Sequence, residues 1–297
     1  MRTNLPYQTY FRNGLRMLLL FLFVLTVTTI RAQININGKV FGGACQADVG
    51  GSTFVDIGAD HFDVVINAVY GGNDVSGSIG TNVTAKVLPF TPEVNTDSKT
   101  YIDNTFDTYI RTNLSTTKKI FIGKLFGGGD GSYDYTSAKL SDGETDNPYC
   151  GMSSPVIGKT YLQINGATIS QLFGGGNNAT VSDNTTICID NTSTVVKSTD
   201  LPQLLTDDRL EKMGLNISQI YIDGDFQFGR VFGGNNFADM AIRPRWFLKK
   251  GKIRDLYSGG NEGRMTSPEG LLLQIDADNP NAATTDPDVL WIDNVYG

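Results

Sequence analysis

The sequence predicts an all-β chain built as a parallel β-helix, a solenoid with irregular rungs and loop insertions. Two observations carry this. An apolar-aromatic-Gly-Gly phrase, complete or varied, returns seven times along the 297 residues, and apolar pairs two residues apart follow it at a fixed distance in four copies. Self-similarity of this kind marks a repeat architecture. A spacing of two is the period of a strand with one buried face.

The clearest copy is Gln171–Ala179, with Phe173-Gly174-Gly175 at its centre. The others are Phe41-Gly42-Gly43, Tyr70-Gly71-Gly72, Phe126-Gly127-Gly128, Phe232-Gly233-Gly234 and the variant Tyr257-Ser258-Gly259-Gly260. A seventh copy opens at Val295-Tyr296-Gly297. Four residues before the aromatic stands Ile66, Ile122, Ile169, Phe228, Ile253 or Ile292; the first copy has Asn37 there, with Ile36 beside it. Fourteen and sixteen residues after it come Val55/Ile57, Ile187/Ile189, Trp246/Leu248 and Leu271/Leu273. The copy at Phe126 offers only Leu140, and the copy at Tyr70 has Thr84 and Lys86. A unit therefore reads short strand, glycine corner, polar stretch, second short strand. The glycines are expected to serve the corner through their tolerance of positive φ. No Lys-Ser/Thr follows any copy, so a phosphate loop is excluded.

Taken in order, the chain begins with Arg2, Arg12 and Arg16, an apolar run from Met17 to Ile30, and Arg31-Ala32-Gln33. This is the pattern of a secretory signal peptide over residues 1–32. The run is shorter than the ~20 apolar residues of a membrane span, so no transmembrane segment is expected after cleavage. Residues 33–297 then form the repeat domain. Its anchor aromatics are 29, 56, 47, 59, 25 and 39 residues apart, so the long intervals carry insertions. Candidate projecting loops are Leu88–Tyr101, Ser141–Pro155 and Ser198–Met213; a short helical pattern falls at Leu201–Leu215. The chain is expected to be cut short at its C-terminal end, because an opening unit with nothing to close it leaves an uncapped core.

Four of the 24 basic residues lie before Gln33, leaving 20 against 31 acids, a net of −11. That balance speaks against nucleic-acid binding. Three cysteines, Cys45, Cys150 and Cys188, make at most one bridge and no zinc ribbon. Leucine-rich repeats are disfavoured because Leu-x-x-Leu-x-Leu is missing, and a propeller because the intervals are uneven. The stretch Gly127-Gly128-Gly129-Asp130-Gly131 has Tyr133 where a calcium-binding nonapeptide repeat needs Asp. No metal or cofactor is expected.

The signal pattern ending at Ala32-Gln33, followed by irregular repeats of the Val-Phe-Gly-Gly-Gly-Asn-Asn-Ala kind, resembles the secreted glycine-rich β-helix surface proteins of Bacteroidetes. The resemblance covers most of residues 34–297, with Ile164–Ile189 and Phe226–Ile275 its best copies. It implies a right-handed parallel β-helix and an adhesin-like role, and it brings no catalytic motif.

The residues themselves offer few sites for chemistry. His61 is the one histidine, and a solvated loop position is its expected place. The acids Asp142/Glu144/Asp146, Asp223/Asp225 and Asp276/Asp278 have the spacing to pair, as a glycosidase requires, and the spacing of ordinary turn acids as well. The most unusual segment is basic: Arg243, Arg245, Trp246, Lys249, Lys250, Lys252 and Arg254 lie within twelve positions of an acidic chain. Such a strip suits an acidic polysaccharide, or forms the outward side of two strands joined at Lys250-Gly251. The leading expectation is a non-enzymatic exported protein, at the outer surface or extracellular with the periplasm as the alternative, contacting glycans or a surface partner protein. A β-helix polysaccharide lyase or glycoside hydrolase is the rival, and a structural stalk segment of a larger surface protein the third reading.

Overall fold

The computed structural model describes residues 33–80, 106–113, 117–193, 195–196, 225–268, 270, 273, 275 and 289–297. The signal-peptide segment, the loops at 88–101 and 198–213 and the helical pattern at 201–215 lie outside the described residues. The described chain is all-β. Its strands are β1 (Gln33–Phe41), β2 (Thr53–Ile57), β3 (Asp63–Tyr70), β4 (Thr108–Thr112), β5 (Ile120–Phe126), β6 (Val156–Ile157), β7 (Thr160–Ile164), β8 (Thr168–Phe173), β9 (Thr180–Val181), β10 (Thr185–Asp190), β11 (Phe228–Phe232), β12 (Arg245–Tyr257) and β13 (Leu290–Tyr296). All pairings between these strands are parallel.

Eleven strands form one sheet in the order β1-β3-β5-β8-β11-β12-β10-β7-β4-β2, with β13 added beside β12. Two ladders make up this sheet. The first takes the strand that precedes each glycine corner, so all seven anchor aromatics lie in it. The second takes the strand that follows. The 13-residue β12 belongs to both: its first half pairs with β10 and its second half with β11 and β13. It turns between the ladders at Gly251, whose φ of 134° only glycine adopts readily. Between the ladders run shorter parallel contacts, β6 with β9, Val49 with Ile79 and Met240 with Met265.

Register is what the repeat encodes. Ile36, Ile66, Ile122, Ile169, Phe228, Ile253 and Ile292 are successive partners in the first ladder. They face Val55, Ile110, Leu162, Ile187 and Trp246 of the second within a single apolar core. Full burial of such a side chain stabilises by roughly 1.5–3 kcal/mol. The odd first copy has a simple cause. β1 carries one extra residue between Ile36 and Lys39, so Ile36, not Asn37, reaches the core position.

Two expectations need correction. The corner glycines Gly42, Gly71, Gly127, Gly174 and Gly233 are not among the positive-φ residues. They are glycine because units stack too closely for a Cβ: at Gly42 it would stand 2.5 Å from the Gly71 carbonyl oxygen, and at Gly233 2.6 Å from that of Ser258. At Gly71, Gly127 and Gly174 it would meet the next glycine's carbonyl more closely still. Second, Leu140 is not the second-ladder residue of its unit. It is exposed in the 130–155 segment, and Leu162 takes the place. Likewise Ile110 fills it for the copy at Tyr70, after an insertion.

Candidate functional site

On the other side of the first ladder from the core, the seven anchors form one continuous column: Phe41, Tyr70, Phe126, Phe173, Phe232, Tyr257 and Tyr296. Ring centres are 4.5–4.8 Å apart and planes differ by 6–13°. That spacing is the separation of neighbouring strands, so backbone pairing and ring stacking reinforce one another. Four of the glycine corners beside the column are each held by a threonine of the second ladder. Thr53, Thr108, Thr160 and Thr185 donate 2.5–2.7 Å hydrogen bonds to the carbonyls of Gly71, Gly127, Gly174 and Gly233, always one unit ahead.

Four residues after the aromatic a polar column begins. Asn261 donates to Asn236, Asn236 to Asn177 and Asn177 to Asp130, at 2.9, 2.8 and 2.8 Å. Every amide donor in this column points the same way, so the last member must be a strong acceptor. Asp130, whose side chain is 0% exposed, is that acceptor, and Lys39 Nζ of β1 contacts its second oxygen. The unit before supplies Asp74, which accepts from the Tyr133 hydroxyl at 2.7 Å.

The 130–155 segment projects from this end of the polar column and carries three more tyrosines. The rings of Tyr133 and Tyr149 are 4.5 Å apart, and Tyr135 lies 6.5 Å from Tyr133. Tyr135 donates to the Val75 carbonyl, tying the projection to the stack. Lys39 Nζ lies 6.0 Å from the Tyr70 ring centre and 5.7 Å from that of Tyr133. Burial, reinforced by Asp130 and Asp74, pushes the Tyr135 phenol up to about 12. The same two causes raise Tyr70 and Tyr133 strongly, with hydrogen bonds to Asp130 and Asp74 respectively adding to the effect. All three phenols therefore stay neutral in ordinary buffers. Sequence reasoning missed this cluster. Lys39 and Asp130 are 91 residues apart, and only stacking brings them together.

The predicted basic strip is divided. Arg243, Arg245, Lys249 and Lys250 sit at or on the second ladder, and Lys252 and Arg254 follow the Gly251 turn into the first. All are half-buried. Trp246 leaves the strip altogether: it packs in the core at 7% exposure. Lys249 lies 3.8 Å from Asp190, and Arg254 Nε 3.0 Å from Asp255, so neighbouring acids offset part of the strip's charge. The acids at 142–146 serve turns: Asp142 accepts from Glu144 and Thr145, and Asp146 pairs with Lys139. Asp225 is exposed, while Asp223, Asp276 and Asp278 lie outside the described residues. His61 is exposed beside a shallow cleft lined by Ile34, Ala59 and Phe62.

Cys188 points away from Ile187 and Ile189 into a second cluster with Phe106, Tyr109 and Tyr161. No disulfide joins it to Cys45 or Cys150. Among the described residues there is no cluster of three metal-binding side chains and no helix long and apolar enough to cross a membrane. No family model, curated protein or solved structure matches the chain.

Proposed function

We propose that this chain is an exported, right-handed parallel β-helix of the glycine-rich surface type seen in Bacteroidetes, and that it contacts glycans without turning them over. The observation that carries the reading is the contrast, among the described residues, between a uniform stack and the 130–155 projection with its paired tyrosines Tyr133 and Tyr149. Insertions on repeat scaffolds are common binding sites, and a tyrosine offers an apolar ring face with a polar tip, suited to a sugar ring. The nearby carboxylates are already engaged, Asp130 by Lys39 and Asn177, Asp74 by Tyr133. A glycosidase needs two available carboxyls, and the divided, partly offset basic strip supports a lyase poorly.

A glycan and polysaccharide array with the chain from Gln33 onward tests this. Binding without new reducing or unsaturated ends is expected, and Tyr149→Ala should weaken it about tenfold, or ~1.4 kcal/mol. Product release would move the assignment to an enzyme. Silence on every glycan would leave the stalk segment as the better account.

A further inference from the structure

We propose that Lys39 and Asp130 are joined by an intramolecular isopeptide bond. The parts that amide formation needs are assembled at one place. The nucleophile is Lys39 Nζ, already in contact with the Asp130 carboxylate. The electrophile is a carboxyl carbon within a side chain that is 0% exposed, its other oxygen held by Asn177 Nδ2 at 2.8 Å. That donor is placed to steady negative charge on the oxygen as the carbon becomes tetrahedral. The Tyr70 and Tyr133 rings flank the nitrogen, and Asp74, bonded to Tyr133, provides a second carboxylate in the same cluster.

The step balances without any co-reactant. The Lys39 ammonium gives a proton to Asp130 Oδ2, the oxygen it already contacts, and the freed nitrogen lone pair attacks Asp130 Cγ. A second proton passes from the nitrogen to the same oxygen as the tetrahedral centre collapses. The bond from Cγ to Oδ2 breaks, that oxygen leaves as water, and the amide keeps the third proton. Held contact replaces a bimolecular encounter and removes much of the entropic barrier. Burial also favours the product, since a neutral amide replaces a charge pair whose desolvation is costly. The bond would staple β1, which pairs with β3 alone among the described residues, to the corner after β5. The edge strand most prone to fraying would be fixed across two units.

Intact-mass and peptide mass spectrometry of the purified mature chain decide the matter. The expected mass is lower than that of the sequence by one water, and the Lys39 and Asp130 peptides should appear as one branched species. Lys39→Arg and Asp130→Ala should each show the full mass of their own sequence and release the two peptides separately. Recovery of full mass and two separate peptides from the unsubstituted protein would overturn the proposal. So would a dehydrated Asp130-Gly131 peptide unlinked to Lys39, because a succinimide at that bond also loses one water. The test rests on the unsubstituted protein, so it holds even where a variant folds poorly.

Discussion

The two ladders share one core yet differ in how strictly they repeat. In the first, both sides keep register: Ile66, Ile122 and Ile169 line up inside, and Tyr70, Phe126 and Phe173 line up outside. In the second, pairing is also in register, but only the inner side keeps its residue type. Its outer side places Phe54, Tyr109 and Tyr161 beside Thr186 and Arg245 in one row. The physical reason lies in the corners. Glycine contacts leave no room for a side chain next to the first ladder, so every unit must enter its corner in the same way. The second ladder is reached after stretches of very different length, and it keeps only an apolar residue in the core and, in β2, β4, β7 and β10, a threonine on the corner.

The sharpest way to break this contrast is at a corner. Gly127→Ala places a Cβ against the Gly174 carbonyl and should cost more than about 3 kcal/mol in denaturant unfolding, beyond the usual range of overpacking. Gly143→Ala, in the open projection with φ of 73°, should cost only about 1–2 kcal/mol. Equal losses would dissolve the distinction between corner and loop.

The aromatic column comes next. Phe173→Ala removes a fully buried ring from the middle and should cost about 3–5 kcal/mol, whereas Phe41→Ala, at the half-buried end of the column, should cost markedly less. Thr160→Val keeps the shape but leaves the Gly174 carbonyl without its hydroxyl donor, a loss of about 1–3 kcal/mol. Thermal melts of the three variants side by side give the order.

The smallest effect is a pH dependence. Tyr135 is raised from 10.0 to about 12 by burial and the nearby carboxylates. Below pH 10 the phenol is protonated in the folded and unfolded chains alike, and its contribution is fully present. Above pH 10 the unfolded chain ionises first, so stability falls as pH rises towards 12. Denaturant midpoints between pH 9 and 12 should decline, and less steeply in Tyr135→Phe.

The same asymmetry explains what was legible in the sequence. Anchor aromatics, corner glycines and the isoleucines four residues earlier were visible because nothing is inserted between them. Ile110 and Leu162 were not, because they follow long insertions, and a fixed offset pointed to Lys86 and Leu140 instead. A signal was present: Thr53-x-Val55, Thr108-x-Ile110, Thr160-x-Leu162 and Thr185-x-Ile187 share a pattern once the offset may vary. The polar column from Asn261 to Asp130 and the Lys39 contact had no local signal, since each partner comes from a different unit. Trp246 was misread as a ligand contact because its basic neighbours hid the alternation that sends it inward.

The in-register column is the centre of the account, and ring-to-ring proximity tests it most directly. NMR on a sample with only phenylalanine rings labelled should show cross-relaxation from Phe126 to Phe173 and from Phe173 to Phe232. None should connect Phe126 with Phe232, two units away. Missing neighbour contacts, or a direct Phe126–Phe232 contact, would contradict the stacking order on which the fold and the site both rest.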